Sequence, residues 1–321
     1  MNQFFKSFLT NAEQETAEVL EGIGTLLKGC INLYQVTNEM FYKDYILKYT
    51  EKLIDSEGKI KGYENGNFTL EHMNLGGTLI WAFGQTKEEK YKLAIDALKK
   101  EVPKFKVEWK NTIQCGCMED DMKKFCSVQP FYMEYETKFE NKECYEEIIA
   151  QFRDARKYLF NSNEAQIHFR NDGAKPENIA IYGEDSSACE TVAQYLMALI
   201  ETMDKTSIEI FEHYRLLEQY FKEVIKVCPE LLHIEGNEKI SIIVAYAVMK
   251  ACNEKVLLAE KYYGFAEVLL NNILIYFHNG ETKDELWSNL RMVGILMMTY
   301  SQYMVANKTK KIKELGCCYE Q

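Results

Sequence analysis

The chain of 321 residues is 47% hydrophobic and 27% charged, enough to bury a large core as one big domain or two ordinary ones. Its net charge of -11 argues against a partner held through a phosphate backbone, because such binders cluster Lys and Arg, and the only basic run is Lys308 to Lys313. No segment approaches the roughly 18 apolar residues of a bilayer span, and the opening "MNQFFKSFLTNAEQETAE" lacks the apolar region and cleavage site of a secretory signal. A cytoplasmic protein with no membrane and no nucleic-acid partner is the expectation.

The Phe4 to Phe8 region holds a short apolar run that is either a helix or no element at all. Ile23, Leu26, Leu27, Cys30, Ile31 and Tyr34 then fall at helical spacing, followed by the connector Gln35 to Glu39 and a second stripe of Tyr42, Tyr45, Ile46, Tyr49 and Leu53. This is a helical hairpin. Leu75, Leu79, Ala82 and Phe83 repeat the design, with the connector Gly84 to Glu88 before Tyr91, Ala94, Ile95 and Leu98. A third copy sets Val128, Phe131, Tyr132 and Tyr135 before a turn at Glu140 to Glu143 and then Tyr145, Ile148, Ile149 and Phe152. The fourth pairs Val192, Tyr195, Leu196 and Leu199 with Phe211, Tyr214, Leu217 and Phe221, and the fifth pairs Val244, Ala247, Val248 and Ala251 with Tyr262, Phe265, Ala266 and Leu269. Met292, Ile295, Leu296 and Thr299 give one more helix of the first type, eleven in all.

An aromatic residue opens the second helix of each early hairpin, at Tyr42, Tyr91 and Tyr145, so the repeat is 49 and then 54 residues long. That exceeds the common helical solenoid periods. Long irregular segments, Ser56 to Thr69, Val102 to Glu119 and Asn161 to Ser187, all precede helices of the first type. Falling at one phase of the repeat, they are expected to gather on one face, where sites are usually built. A closed ring of about six hairpins, an all-α (α/α)6 toroid forming a single domain over residues 1–321, is therefore favoured over an open solenoid.

The ten cysteines are scattered, mostly on apolar faces, and read as reduced core thiols. Cys115-Gly-Cys117 and Cys317-Cys318 lack the paired spacing and the nearby histidine of a zinc site, so neither a metal nor another cofactor is expected.

From "GTLLKGCINLYQVTNEMFYKDYILKYTEKLIDSEGKI" through "VQPFYMEYETKF" and "QYLMALIETM" to "VGILMMTYSQYM", the chain resembles the unsaturated glucuronyl and unsaturated rhamnogalacturonyl hydrolases of glycoside hydrolase families 88 and 105, which are α/α toroids. The resemblance implies removal of a 4,5-unsaturated uronyl sugar left by polysaccharide lyases. In those enzymes an aspartic acid protonates the double bond and activates water, and hydration of the vinyl ether opens the ring.

The family's Asp-x-x-Asn-Pro-Gly motif corresponds to Glu71-His72-Met73-Asn74-Leu75-Gly76, a carboxylate one methylene longer. In its Trp-x-Asp-Gly-x-Tyr-Met-Ala-x-Pro-Phe motif, counted back from Gln129-Pro130-Phe131, the acid's slot holds Lys123, with Asp120 and Asp121 just upstream. The Trp-x-Arg-x-x-Gly-Trp clamp aligns with Ala188 to Gln194, so Glu190 stands where the family has Arg. His168 falls within one residue of a substrate-contacting histidine, and "VLEGIG" replaces a tryptophan.

By that resemblance Asp121 is the expected proton donor and Glu71 the supporting carboxylate, with Asn74, Asp120, Trp109 and His168 contacting an oligosaccharide substrate. Glu71 and Asp121 would raise one another's affinity for protons if the fold brought them close. Each candidate has a plainer reading. Glu71 is also a favourable charge at a helix start, Asp120 and Asp121 read as an N-cap and solvated turn, and His72 either faces the same end or caps its helix. Trp81 reads as inner-helix packing, and His168 reads equally as a surface contact. Zinc-dependent cyclases and histidine-paired epimerases on toroid folds are set aside for want of their motifs. A catalytically inactive toroid that binds a carbohydrate or a protein is the alternative to a divergent hydrolase.

Overall fold

The computed structural model describes residues 1–12, 21–63, 68–109, 117–159, 186–234, 236–278 and 288–317. Among them every regular element is a helix, apart from one antiparallel bridge between Ile54 and Ile60. In chain order the α-helices are α1 (Asn2–Ala12), α2 (Ile23–Thr37), α3 (Met40–Leu53), α4 (Leu70–Asn74), α5 (Gly76–Thr86), α6 (Glu89–Glu101) and α7 (Cys117–Lys138). They continue as α8 (Tyr145–Leu159), α9 (Ser186–Lys205), α10 (Phe211–Val227), α11 (Glu238–Asn253), α12 (Ala259–His278) and α13 (Leu290–Cys317). The eleven helices marked by apolar stripes are all present. The N-terminal element forms as α1, and α4 is an addition too short for periodicity to register.

The described helices fall into two compact units, Met1–Leu98 with Leu274–Gln321, and Lys99–Ile273. In the first unit the hairpin connectors are shorter than the sequence pattern predicts, because each inner helix runs on to a threonine. The Thr37 hydroxyl donates to the Leu33 carbonyl at 2.7 Å and accepts from the Glu39 N–H at 3.2 Å. Thr86 does the same with Ala82 and Glu88 at 3.0 and 3.2 Å. Asn38 and Lys87 follow at φ 58° and 62°, and their N–H groups close the helices onto Tyr34 and Phe83. These are left-handed helix ends that satisfy the final carbonyls, made twice by the same Thr-x-Glu sequence.

The tyrosines that mark the repeat are fully buried ties between neighbouring hairpins. Tyr42 donates to Asn2 of α1, and the Tyr91 hydroxyl meets Thr50 of α3 at 3.4 Å. In the second unit the Tyr145 hydroxyl accepts from the Ser207 N–H at 2.9 Å. Each buried ring keeps its polar tip hydrogen-bonded, as burial requires.

In the second unit neighbouring helices of one type run parallel and in register. In the second unit Cys126 reaches the Gln194 carbonyl at 3.2 Å and Thr137 the Lys205 carbonyl at 2.7 Å, both across 68 residues. A constant separation at two well-spaced points is possible only if α7 and α9 point the same way. The outer helices α8 and α10 repeat this at Arg156–Glu223 and Glu146–His213, both across 67 residues. Lys250 meets Glu201 across 49 residues, and Lys239 meets Glu190 at the same spacing, so α11 is parallel to α9 as well. The N-terminal ends of α7, α9 and α11 therefore share one end of the second unit.

Between α2 and α13 the backbones approach so closely that only glycine fits. A Cβ at Gly294 would lie 2.5 Å from the Thr25 carbonyl oxygen, and one at Gly29 would lie 2.7 Å from the Gly294 oxygen.

At the other end of the second unit the Lys250 ammonium is buried against Glu201 at 2.8 Å, Asp204 at 3.4 Å and Glu254 at 3.8 Å, while the Tyr246 hydroxyl donates to Glu201. Burial alone would disfavour the charged lysine, but Tyr246, Asp204 and Glu254 hold its pKa above the usual value. Burial pushes Glu254 up to about 7, against the opposing pull of Lys250.

Candidate functional site

In the first unit the motif Glu71 to Gly76 forms α4 and the start of α5. Thr69 precedes α4, and its N–H donates at 3.1 Å to Nδ1 of His72, three residues into the turn. His72 is therefore a helix cap, the second of its two sequence readings. With Nδ1 accepting, the neutral ring carries its proton on Nε2, which faces the Lys61–Gly62 peptide. Burial lowers the His72 pKa, opposed by the Lys61 backbone. Phe68 packs edge-on to His72 and stacks on Tyr63, tying the preceding segment to α4.

Glu71 points its carboxylate at the start of α2, accepting the Gly22 N–H at 2.9 Å. Gly22, at φ 81°, is the N-cap of that helix, and its free N–H groups and dipole favour a negative charge there. Asn74 lies against Gly24, where an added Cβ would be 2.6 Å from the Asn74 carbonyl oxygen. Together these contacts seat α4 on the first turn of α2. Trp81 packs edge-to-face on Tyr34 with centroids 6.0 Å apart, in keeping with its reading as inner-helix packing.

In the second unit α7 starts at Cys117, earlier than the sequence reading, so Asp120 and Asp121 are helical residues and not caps. This corrects the N-cap reading. Asp120 is exposed and 3.9 Å from Lys123, while Asp121 is partly buried and 3.4 Å from Lys124, both on adjacent turns. Such i,i+3 pairs stabilise the start of the helix modestly. Trp109 is half-buried, edge-on to Phe125 at 5.5 Å and tilted against Tyr158 at 5.4 Å. Phe125 in turn meets Phe152 at 4.7 Å, so the indole belongs to an aromatic cluster. His168 lies outside the described residues.

Glu190, one turn into α9, is held on both sides: Lys239 of α11 approaches at 2.7 Å and the Gln194 side-chain amide donates at 2.8 Å. Sequence reasoning singled out Glu190 but missed Lys239. The signal was available in the 49-residue repeat, which relates the two positions as it relates Tyr42 to Tyr91.

Helical hairpins make up each unit, and the class they define, with the solved structures they resemble, is the all-α toroid. The model of Glycosyl Hydrolase Family 88 matches residues 10–274, and the chain belongs to that family. Among solved structures the chain is similar to a family 105 glycoside hydrolase from C. acetobutylicum ATCC 824, with TM-score 0.67 at 18% identity over 93% of this chain and 98% of that one. It is similar to a family 88 glycosyl hydrolase from Bacteroides vulgatus, with TM-score 0.61 at 8% identity over 94% and 98%. A polysaccharide lyase gives TM-score 0.64 at 11% identity over 95% and 98%. At these identities the structures speak for the fold, which is the toroid class expected from the repeat. No curated protein matches the chain. No described helix is long and apolar enough to cross a membrane.

Proposed function

We propose that the chain is a hydrolase of lyase-generated oligosaccharides that hydrates the vinyl ether of a terminal 4,5-unsaturated uronyl sugar. The observation that carries this reading is the family match over residues 10–274, taken with the carboxylate of Glu71 at the first motif position and that of Asp121 just upstream of the second, whose own slot holds Lys123. In this reading Asp121 donates a proton to the double bond, and its carboxylate then takes a proton from the water that adds at the neighbouring carbon. The resulting hemiketal opens and releases the rest of the oligosaccharide. Asp121 is suited to this by its place at the first turns of α7, at the end of the second unit where α9 and α11 also begin. Glu71 is the supporting carboxylate, and Asn74, Asp120, Trp109 and His168 contact the sugar.

The test is loss of the vinyl-ether ultraviolet absorbance when purified protein meets a panel of lyase-generated unsaturated disaccharides. The proposal expects turnover in wild type and a loss of at least 100-fold in Asp121→Asn, the scale on which general acid–base groups act. Full activity in both Asp121→Asn and Glu71→Gln would overturn the assignment. No turnover across the panel would favour a binding protein built on the same scaffold.

A further inference from the structure

At the shared N-terminal end of α9 and α11 the second unit holds a pairing that helix formation does not call for. Lys239 is the second residue of α11, where the free N–H groups and dipole of a helix repel a cation. What holds it there is Glu190, whose side chain is only 14% exposed and whose Oε1 lies 2.7 Å from Nζ. That same oxygen accepts from Gln194 Nε2, which fixes the amide and leaves Gln194 Oε1 as a buried acceptor with no hydrogen-bond partner among the described residues. Gln194 itself is 1% exposed. An unmet acceptor at that depth is rare in native proteins.

The Lys239 side chain is 44% exposed, and its ammonium has donors to spare beyond its bond to Glu190. The carboxylate has a second oxygen. The spare ammonium donors and the second carboxylate oxygen belong to one ion pair, a donor and an acceptor side by side that can meet two adjacent hydroxyls of a pyranose ring, one hydroxyl accepting from the ammonium while its neighbour donates to the carboxylate. The two charges cancel, so the pair offers no net attraction to a sugar carboxylate. We infer that Lys239 and Glu190, with Gln194 behind them, form a specificity-determining subsite for the vicinal diol of a neutral sugar. The inference rests on the proposed carbohydrate function and adds that the neutral part of the oligosaccharide is read here, at the start of α9 and α11.

Calorimetric titration with methyl glycosides of neutral hexoses, with methyl glucuronide alongside, tests it directly. Wild type is expected to bind at least one neutral glycoside in the millimolar range. Lys239→Met and Glu190→Gln should each weaken that binding at least tenfold, Lys239→Arg should restore most of it, and the double variant should be no worse than the weaker single. Binding unmoved by 0.5 M salt is expected of a neutral ligand, on the order of the screening that suppresses exposed charge attraction. Thermal melts of each variant separate lost binding from lost folding. The inference is overturned if only methyl glucuronide binds, if no glycoside binds, or if folded variants bind as wild type does. A wild type that hydrates unsaturated disaccharides while its binding ignores both substitutions sinks this inference alone; one that shows neither turnover nor binding sinks the proposed function with it.

Discussion

Replacement of Gly294 by alanine puts the packing of α2 on α13 to a quantitative test. The new Cβ would stand 2.5 Å from the Thr25 carbonyl oxygen and 2.6 Å from the Leu26 nitrogen, both backbone atoms of a continuous helix that cannot rotate aside. To reach an ordinary contact the helices must part by close to an ångström, and forced insertions of this kind cost about 1–3 kcal/mol, here at the upper end. Alanine returns about 1 kcal/mol of helix propensity, so the net loss is about 2 kcal/mol. For a protein of 321 residues that lowers Tm by about 3 °C, since the entropy of unfolding grows with chain length. Gly264 of α12 supplies the control, since it is helical and an added Cβ there meets nothing within 4 Å. Gly264→Ala should gain a few tenths to 1 kcal/mol. Gly29→Ala should behave as Gly294→Ala does, and the double variant should cost less than the two singles combined, because the helices need to part only once. Melts followed by circular dichroism, with urea titrations for the free energies, measure all four variants. A Gly294→Ala protein as stable as Gly264→Ala would refute the close approach of the two helices.

Other expectations concern charge. Lys250→Met removes the ammonium facing Glu201, which is 2% exposed, and is expected to cost about 3–5 kcal/mol in a urea titration, as uncompensated buried carboxylates do. Glu254 titrates near 7 in the folded chain against 4.5 for the ordinary group, so its contribution to stability is fully present below about pH 4.5 and is lost as pH rises through 7. Glu254→Gln, neutral at every pH, should thus match wild type near pH 5 and exceed it at pH 8 by on the order of 2 kcal/mol; equal melting curves at pH 8 would count against the burial effect. Glu71→Gln should lower stability by about 0.5–1 kcal/mol through the weakened bond to the start of α2, little enough that any larger fall in turnover reports chemistry rather than unfolding.

The helices were legible because each inner or outer face repeats apolar residues at a helical period, and burial of that face dominates local preference. The exact turns were less so. Thr37-Asn38-Glu39 and Thr86-Lys87-Glu88 continue the helix into what reads as a polar connector, since a threonine hydroxyl bonding back one turn leaves no mark in hydropathy. His72 was visible as a candidate, but its role depended on whether the ring folds back on Thr69, which residue identity does not decide. Lys239 illustrates the other difficulty. Its meaning comes entirely from a partner on the neighbouring helix, and a cation at a helix start looks merely unfavourable until that partner is found.

The register between parallel helices carries an evolutionary consequence. The pairs α7–α9 and α9–α11 keep the same alignment although their separations are 68 and 49 residues. Extra chain is thus absorbed outside the helices without sliding one against another. The ends closed by Thr-x-Glu turns have no such latitude, because one inserted residue would break the hydroxyl bridge and the left-handed cap together. Change in length is absorbed where α9 begins and is resisted at the two Thr-x-Glu turns of the first unit, so new recognition loops can be tried on an unchanged frame.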